Sequence, residues 1–263
     1  MIRNYELRFE IKPGKFVYVP TDSCRAYGNR LNKKLLSRWT PDLYFYHLAK
    51  AGGHIAAMRP HLNLPFHASV DLTKFFNSVS RTRVHRALRK IGISNREAFD
   101  IATECCVEVD GRKFLPYGFP QSMLLATLVF EKSALGKEVR QLRAEGIFVS
   151  VYVDDILLSA TDLQILRAAY DRIVQSAETS GFEASHEKSE EPGNEICSFN
   201  CSISDRMIII AERMDRFRLQ LSEASDFSRE AILRYVSVVN VDQADQLAKS
   251  TQTSNSSTNL AFS

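Results

Sequence analysis

The 263-residue sequence lacks the features of membrane-spanning proteins, of secreted proteins and of proteins stabilised by a structural zinc ion. It has no apolar run of about 18 residues, the length that crosses a bilayer, and no signal-peptide pattern at its N-terminus. Of its five cysteines, the adjacent Cys105 and Cys106 are poorly placed for a disulfide, and Cys197-x-x-x-Cys201 lacks the second pair that a zinc site needs. We therefore predict a cytoplasmic protein without membrane contact, whose cysteines are structural.

A large net charge is also missing, but the charge is unevenly distributed. The total is +3, whereas residues 1–66 hold eleven Lys and Arg against four Asp and Glu, a net +7 that leaves −4 for residues 67–263. A basic region ahead of an acidic one suits a protein that holds a polyanion beside metal cations. The alternative is an ordinary solvated basic face.

The segment 148–160 places two adjacent carboxylates, Asp154 and Asp155, between two runs of aliphatic residues. The period-two pattern predicts two buried strands joined as a hairpin whose turn carries both acids. Adjacent like charges repel and burial adds a desolvation penalty, so a cation is needed to neutralise them. Mg²⁺ is the natural candidate, because it binds through one or two carboxylates together with substrate phosphates. The alternative is a solvated Asp-Asp turn.

A third carboxylate, Asp71, ends another apolar segment and precedes the aromatic pair Phe75 and Phe76. Acids from neighbouring strands can converge on two metal ions, which stabilise the attacking and leaving oxygens of an in-line phosphoryl transfer. With both segments in this order, the sequence resembles the reverse transcriptase family. Residues 152–155 match the family's Tyr-x-Asp-Asp signature, and residues 71–76 match its first palm motif. The resemblance covers roughly residues 45–205 and points to small bacterial enzymes of the retron and defence-associated groups.

The resemblance implies an α+β fold with the palm and fingers of a right-hand polymerase, an antiparallel palm sheet packed on helices, and a thumb that is reduced or absent. Residues 1–66 are then a basic fingers-like region, residues 67–205 the palm with a fingers segment at about 80–115, and residues 206–263 a short C-terminal extension. In that extension we predict one helix, Arg229 to Val239, and a flexible run from Thr251 to Asn259.

The same resemblance assigns roles to individual residues. Asp71, Asp154 and Asp155 are the catalytic acids and, with the Leu72 carbonyl, the ligands of two Mg²⁺ ions, for which Mn²⁺ can substitute. Phe76 stands at the steric-gate position, where a bulky ring overlaps a ribose 2′-OH and so selects dNTPs. The further residues assigned to nucleotide binding are Lys50, Arg59, Lys74, Tyr117, Gly118 and Lys188. The residues assigned to primer or template contact are Tyr152, Gln121 and Ser122.

The family's second palm motif is Pro-Gln-Gly, three variable residues, then Ser-Pro. Residues 116–123 (PYGFPQSM) keep its first proline, its glycine and its serine, with Tyr117 in place of the glutamine and Met123 in place of the last proline. Gly118 is expected to let the backbone approach nucleotide and template closely. A rival register places residues 120–121 on Pro-Gln but loses the glycine. One long helix is predicted from this motif to about Glu145. Ahead of the motif, residues 107–115 are predicted to form a short hairpin around Asp110-Gly111.

The expected function is that of an RNA-directed DNA polymerase that copies a structured noncoding RNA into DNA in anti-phage defence. A second copy of the chain, an accessory protein or the RNA itself would replace the missing thumb. Two alternatives remain: a template-independent or protein-primed DNA polymerase, and a catalytically silent RNA-binding subunit. The intact acids argue against the silent subunit, and Phe76 argues against a ribonucleotide substrate.

Overall fold

The structure is a computed structural model that describes residues 4–49 and 53–258. Its strands are β1 (Tyr5–Lys12), β2 (Lys15–Pro20), β3 (Phe66–Thr73), β4 (Val107–Val109), β5 (Arg112–Phe114), β6 (Phe148–Tyr152), β7 (Asp155–Ala160), β8 (Glu183–Ala184), β9 (Glu190–Gly193), β10 (Ile196–Ser198), β11 (Cys201–Ile203) and β12 (Met207–Ile209). Its helices are α1 (Asp22–Leu36), α2 (Tyr46–Ala49), α3 (Gly53–Met58), a 3₁₀ helix (Arg59–Asn63), α4 (Phe75–Ser78), α5 (Arg81–Lys90), α6 (Asn95–Cys105), α7 (Ser122–Glu131), α8 (Ala134–Ala144), α9 (Leu163–Thr179), α10 (Ala211–Glu223), α11 (Asp226–Val239) and α12 (Val241–Thr258).

The centre of the fold is a five-stranded antiparallel sheet in the order β6-β7-β3-β8, with β9 also pairing with β3. The predicted hairpin is confirmed as β6 and β7, with Tyr152 paired to Asp155. Helices and antiparallel sheets together confirm the α+β class.

Both faces of this sheet are covered, which explains the continuous apolar runs in its strands. Successive side chains of a strand point to opposite faces. On β7, Ile156 and Leu158 enter the main core with α5 to α9, whereas Leu157 enters a second core. The acids at the end of β3 and the start of β7 are therefore held on a rigid support.

The second core corrects the prediction for the C-terminal extension. Residues 211–258 form three helices rather than one, and the run expected to be flexible is helical as far as Thr258, while Asn259 lies outside the described residues. Met214, Phe217 and Leu221 recur at helical spacing along α10 and pack with residues of α3, β10 to β12 and α11. The single-helix prediction overlooked this stripe because charged residues separate its members.

Two smaller predictions have different outcomes. The hairpin around Asp110 and Gly111 is confirmed as β4 and β5, and both turn residues have positive φ, as in a type I′ turn. The long helix to Glu145 is wrong, because α7 ends at Glu131 and a new helix begins after Ser133. The Ser133 hydroxyl accepts a hydrogen bond from the Gly136 amide, which caps the start of α8.

No helix among the described residues has the length and apolarity to cross a membrane.

Candidate active site

Strand pairing brings the three predicted acids to one edge of the central sheet. Asp71 on β3 lies directly opposite Asp155 on β7, and Asp154 occupies the turn just before Asp155. The Leu72 amide donates to the Asp154 carbonyl at 3.0 Å, which ties the turn to β3. Two strands and one turn therefore present three carboxylates together, although Asp71 is more than 80 residues from the other two in sequence.

Burial and mutual repulsion make these carboxylates costly to ionise. Desolvation raises the pKa of Asp155 to about 7, and the charges of Asp154 and Asp71 add to the rise. Desolvation is also the main reason that the pKa of Asp154 is raised. Asp71 Oδ1 is buried and accepts no hydrogen bond, although Lys188 Nζ forms an ion pair with it at 3.5 Å. The site therefore has excess negative charge that the neighbouring lysines only partly balance.

This arrangement fits a divalent cation that also binds a substrate. Carboxylate oxygens are the hard ligands that Mg²⁺ prefers, and Asp71 Oδ1 is a buried acceptor with no hydrogen-bond donor. Within the described residues, no group of three His, Cys, Asp or Glu side chains is arranged to hold a metal ion by itself. A cation here would need additional ligands from water or substrate phosphates, as Mg²⁺ commonly does.

Phe76 and Tyr117 form an aromatic wall beside the carboxylates. Their ring centroids are 4.5 Å apart in an edge-on arrangement, and Phe76 is 6% exposed. Burial raises the pKa of the Tyr117 phenol, and the charges of Asp154 and Asp71 add to that rise. Phe75 packs against Phe76, Phe130 and Phe182 in the main core. The wall is therefore adjacent to the acids and continuous with the main core.

Lys15 is a candidate residue that the sequence analysis missed. Its ammonium lies over the Tyr117 ring, 4.5 Å from the centroid, and its charge lowers the pKa of Asp154. The β1–β2 hairpin brings it there, because the Tyr18 amide donates to the Tyr117 carbonyl at 2.9 Å. Only the tertiary pairing of β2 with the 116–118 segment reveals this, since no motif in the sequence surrounds Lys15.

The sequence profile of the family described as reverse transcriptase (RNA-dependent DNA polymerase) matches residues 15–196. The chain belongs to the reverse transcriptase family. The resemblance proposed from residues 71–76 and 152–155 is thereby confirmed.

One curated relative of this reverse transcriptase family member is a bacterial enzyme. The retron Ec86 reverse transcriptase of Escherichia coli is 23% identical over 173 residues, which cover 65% of this chain and 52% of the relative. The chain thus spans about half the length of that protein. This match supports the expected resemblance to small bacterial reverse transcriptases of the retron and defence-associated groups.

Two solved structures are similar at low sequence identity. A foamy viral protease-reverse transcriptase in complex with double-stranded DNA has a TM-score of 0.47 at 18% identity, covering 80% of this chain and 31% of the viral chain. The apo telomerase of Candida tropicalis has a TM-score of 0.46 at 13% identity, covering 72% of this chain and 51% of the telomerase chain.

The other three lysine and arginine residues predicted to bind the nucleotide differ in where they lie. The Arg59 guanidinium donates to the Val238 carbonyl of α11 at 2.7 Å, so this cation is engaged by the C-terminal helices. Lys50 lies outside the described residues. Lys74 is exposed and adopts a left-handed φ of 48° just before α4, three residues beyond Asp71.

The structure corrects the two predicted primer or template contacts in the second palm motif. Gln121 is fully buried and faces the thiols of Cys24 and Cys105, and Ser122 is 2% exposed. Neither side chain is presented to a primer or template, because α1 covers this segment: a Cβ on Gly28 would lie 2.0 Å from Gln121 Oε1.

The glycine in that motif has a structural role beyond the predicted approach to nucleotide and template. Gly118 has a φ of +102°, and a Cβ there would lie 2.4 Å from the Tyr18 carbonyl oxygen. The close approach is therefore to the backbone of β2, in addition to any ligand. Tyr152, the third predicted primer or template contact, is partly buried among the rings of His47, His54 and Phe199.

Proposed function

We propose that this chain is an RNA-directed DNA polymerase that extends a primer with dNTPs by two-metal phosphoryl transfer. One observation carries the proposal: Asp71 faces Asp155 across paired strands, with Asp154 in the adjoining turn and an unsatisfied carboxylate oxygen among them. Such desolvated acids are stabilised by cations and substrate phosphates. Membership of the reverse transcriptase family supports the same chemistry.

Asp71, Asp154 and Asp155, with the Leu72 carbonyl, would hold Mg²⁺, or Mn²⁺ in its place. When bound, the cations would neutralise the negative charge on the attacking and leaving oxygens. The protein's own contribution is to hold the acids rigidly, since β3 and β7 are paired and covered on both faces. Because the acids are preorganised, little rearrangement is needed at the moment of reaction.

The side chains around the acids suit a deoxynucleoside triphosphate. Lys15 and Lys188 approach the site from two different elements and would attract the phosphates. The Phe76–Tyr117 wall would lie against the sugar and exclude a 2′-OH by overlap. Lys74 is close enough in sequence to Asp71 to join the phosphate contacts, and its exposure leaves it available.

A groove between the β1–β2 and β4–β5 hairpins would bind a single-stranded template. This cavity of about 440 Å³ combines cations with aromatic rings and includes Asn77, the residue after Phe76. Arg8 stacks over the Phe16 ring at 3.8 Å, and Arg112 lines the other side. Rings and cations together are the chemistry that binds single-stranded nucleic acid.

The proposed biological setting is compatible with the curated relative. Similarity to a retron reverse transcriptase supports a structured noncoding RNA as template, with a DNA product made in the cytoplasm during anti-phage defence. Helices α10 to α12 stand where a thumb would follow the palm in sequence. The structured RNA, an accessory protein or a second copy of the chain would complete the grip on primer and template.

The test is primer extension by the purified protein with its co-purified RNA, labelled dNTPs and Mg²⁺. Asp154→Asn and Asp155→Asn keep the side-chain shape and remove the charge, so both should lower incorporation by at least about 1,000-fold. The matched control is Asp205→Asn, which changes an exposed carboxylate in the turn before β12 and should leave the rate unchanged.

The sequence of the product decides between the alternatives. DNA complementary to the co-purified RNA supports the proposal. DNA of simple sequence without a matching RNA would replace it with untemplated synthesis. RNA binding by folded wild-type protein without any incorporation, with either metal, would overturn it in favour of a silent subunit.

A further inference from the structure

The turn that carries the acids has an uncommon backbone conformation. Val153, the first of its two residues, has a φ of +61°. The left-handed region is a genuine outlier for a β-branched residue, and hairpin turns that need a positive φ normally use glycine there. Such strain persists only where the surroundings hold it in place, and Asp154 is the next residue.

A histidine from another element contacts this turn. The Val153 amide donates to His47 Nδ1 at 2.9 Å. On the other side of the ring, His47 Nε2 lies 2.8 Å from the Thr127 hydroxyl, which itself donates to the Met123 carbonyl at 2.9 Å. Because that hydroxyl proton is already used, Nε2 carries the ring proton and Nδ1 is free to accept. The two partners therefore select the tautomer.

The surroundings of His47 keep the ring neutral and fixed. Desolvation lowers its pKa to about 4, so the ring remains an acceptor at neutral pH. The preceding segment runs beside β6, since the Val151 amide donates to the Tyr44 carbonyl at 2.8 Å and Phe45 bridges to Val151. The chain thus places His47 against the turn by its backbone as well as by its side chain.

We propose that His47 is a positioning residue for the carboxylate turn. Its Nδ1 holds the Val153 amide, which keeps the turn in the left-handed conformation and sets where Asp154 and Asp155 present their oxygens. The contact itself stands on the geometry alone, and its effect on catalysis rests on the proposed polymerase function.

Two substitutions of His47 separate its two hydrogen bonds. In His47→Asn the amide oxygen reaches the place of Nδ1 and can still accept from Val153. In His47→Gln the longer side chain reaches the place of Nε2, which keeps the contact to Thr127 and loses the acceptor. Losing the partner of a buried amide costs about 1–3 kcal/mol, which corresponds to about 5- to 150-fold. We therefore expect H47N within about threefold of wild type and H47Q at least about fivefold slower at limiting Mg²⁺.

A substitution that relieves the backbone strain at Val153 gives a second, independent test. Glycine adopts a positive φ without steric cost, so Val153→Gly removes the backbone strain that the His47 contact opposes, although the amide of residue 153 stays without its acceptor in H47Q. In the H47Q background, V153G should restore the part of the lost incorporation that arises from strain in the turn. The matched control is His85→Gln, which changes a partly buried histidine on α5 that contacts Asn95 on α6 and should have no effect.

Amide hydrogen exchange tests the contact without any enzymatic assay. The Val153 amide should exchange at least tenfold faster in H47Q than in wild type or H47N, in protein free of metal and nucleotide. If wild type does not polymerise, the proposed function fails while the exchange result still decides the role of His47. Equal exchange in H47N and H47Q, or an unprotected Val153 amide in wild type, would overturn the inference. So would a failure of V153G to restore incorporation in an active H47Q protein.

Discussion

At the scale of single residues, the candidate site lowers the stability of the metal-free protein. Asp155 lies opposite Asp71, next to Asp154, and largely out of water, so its charge is unfavourable without a cation. Active sites commonly hold groups whose environment opposes their charged form, because the same environment strengthens their interaction with substrate and cations. The same desolvated cluster of carboxylates thus lowers the stability of the metal-free protein and provides the proposed binding site for cations.

This leads to a prediction for the metal-free protein. Asp155→Asn should unfold at a higher urea concentration than wild type in EDTA at pH 7.5, with a gain of about 1–3 kcal/mol, because a desolvated charge and its repulsion are removed. Asp205→Asn, in an exposed turn, should change stability by less than about 0.5 kcal/mol. A D155N protein that is less stable than wild type would show that the charge is already compensated.

A second residue-scale prediction concerns sugar selection. Phe76→Val shortens the ring wall beside Tyr117 and should raise the incorporation of ribonucleotides relative to deoxyribonucleotides by about 10- to 100-fold, since a clash rather than a hydrogen bond excludes the 2′-OH. Phe76→Tyr keeps the bulk and should preserve selectivity. The measurement is the ratio of kcat/KM for matched dNTP and NTP. An unchanged ratio in F76V would assign Phe76 to packing alone.

At the scale of elements, the C-terminal helices show how a short amphipathic stripe is completed by tertiary contacts. Met214, Phe217 and Leu221 of α10 are buried, whereas Leu219 between them is 72% exposed. Their partners include Ile55 of α3, which lies more than 150 residues away in sequence. The three helices therefore fold as part of the second core.

The pattern of burial on α10 predicts opposite results for two neighbouring leucines. Leu221→Ala should destabilise the protein by about 2–5 kcal/mol, because it removes a buried side chain and leaves a cavity. Leu219→Ala removes the same atoms from an exposed site and should cost less than about 0.5 kcal/mol. Urea unfolding measures both. Equal effects would mean that α10 does not pack as the second core requires.

At the scale of the whole molecule, a buried polar network links the 3₁₀ helix to the central sheet. His61 is fully buried, with Nδ1 2.6 Å from the Ser159 hydroxyl and Nε2 2.8 Å from the Ser150 hydroxyl. Ser150 donates onward to the Ala57 carbonyl at 3.0 Å. Burial lowers the pKa of His61 to about 3, and the charges of His67 and Arg143 add to this. Burial therefore favours the neutral form of the His61 ring.

The lowered pKa of His61 predicts acid sensitivity. Between about pH 6.5 and 3 the unfolded chain binds a proton at His61 that the folded protein does not, so the free energy of unfolding falls as the pH falls. From pH 7 to pH 5 this residue should account for a loss of about 2 kcal/mol. Urea unfolding of wild type and His61→Asn at both pH values measures it. The variant should lose correspondingly less, and an equal loss would contradict the prediction.

Local sequence patterns were enough to predict two hairpins of this protein and its family. Two apolar runs around Asp154 and Asp155 predicted the β6–β7 hairpin, Asp110-Gly111 predicted the β4–β5 hairpin, and the motif residues identified the family. These features depend on side-chain alternation and turn chemistry within a few residues, so they are visible in sequence.

Tertiary structure decided the rest, because contacts between distant segments leave no local pattern. It placed Lys15 over Tyr117, buried Gln121 under α1, and engaged Arg59 with α11. It also set His47 against the strained turn, where a single histidine in an apolar segment gave no sign of a role. The sequence by itself determined which acids form the site and on which strands, whereas packing determined what surrounds them, since a side chain's neighbours depend on the whole fold.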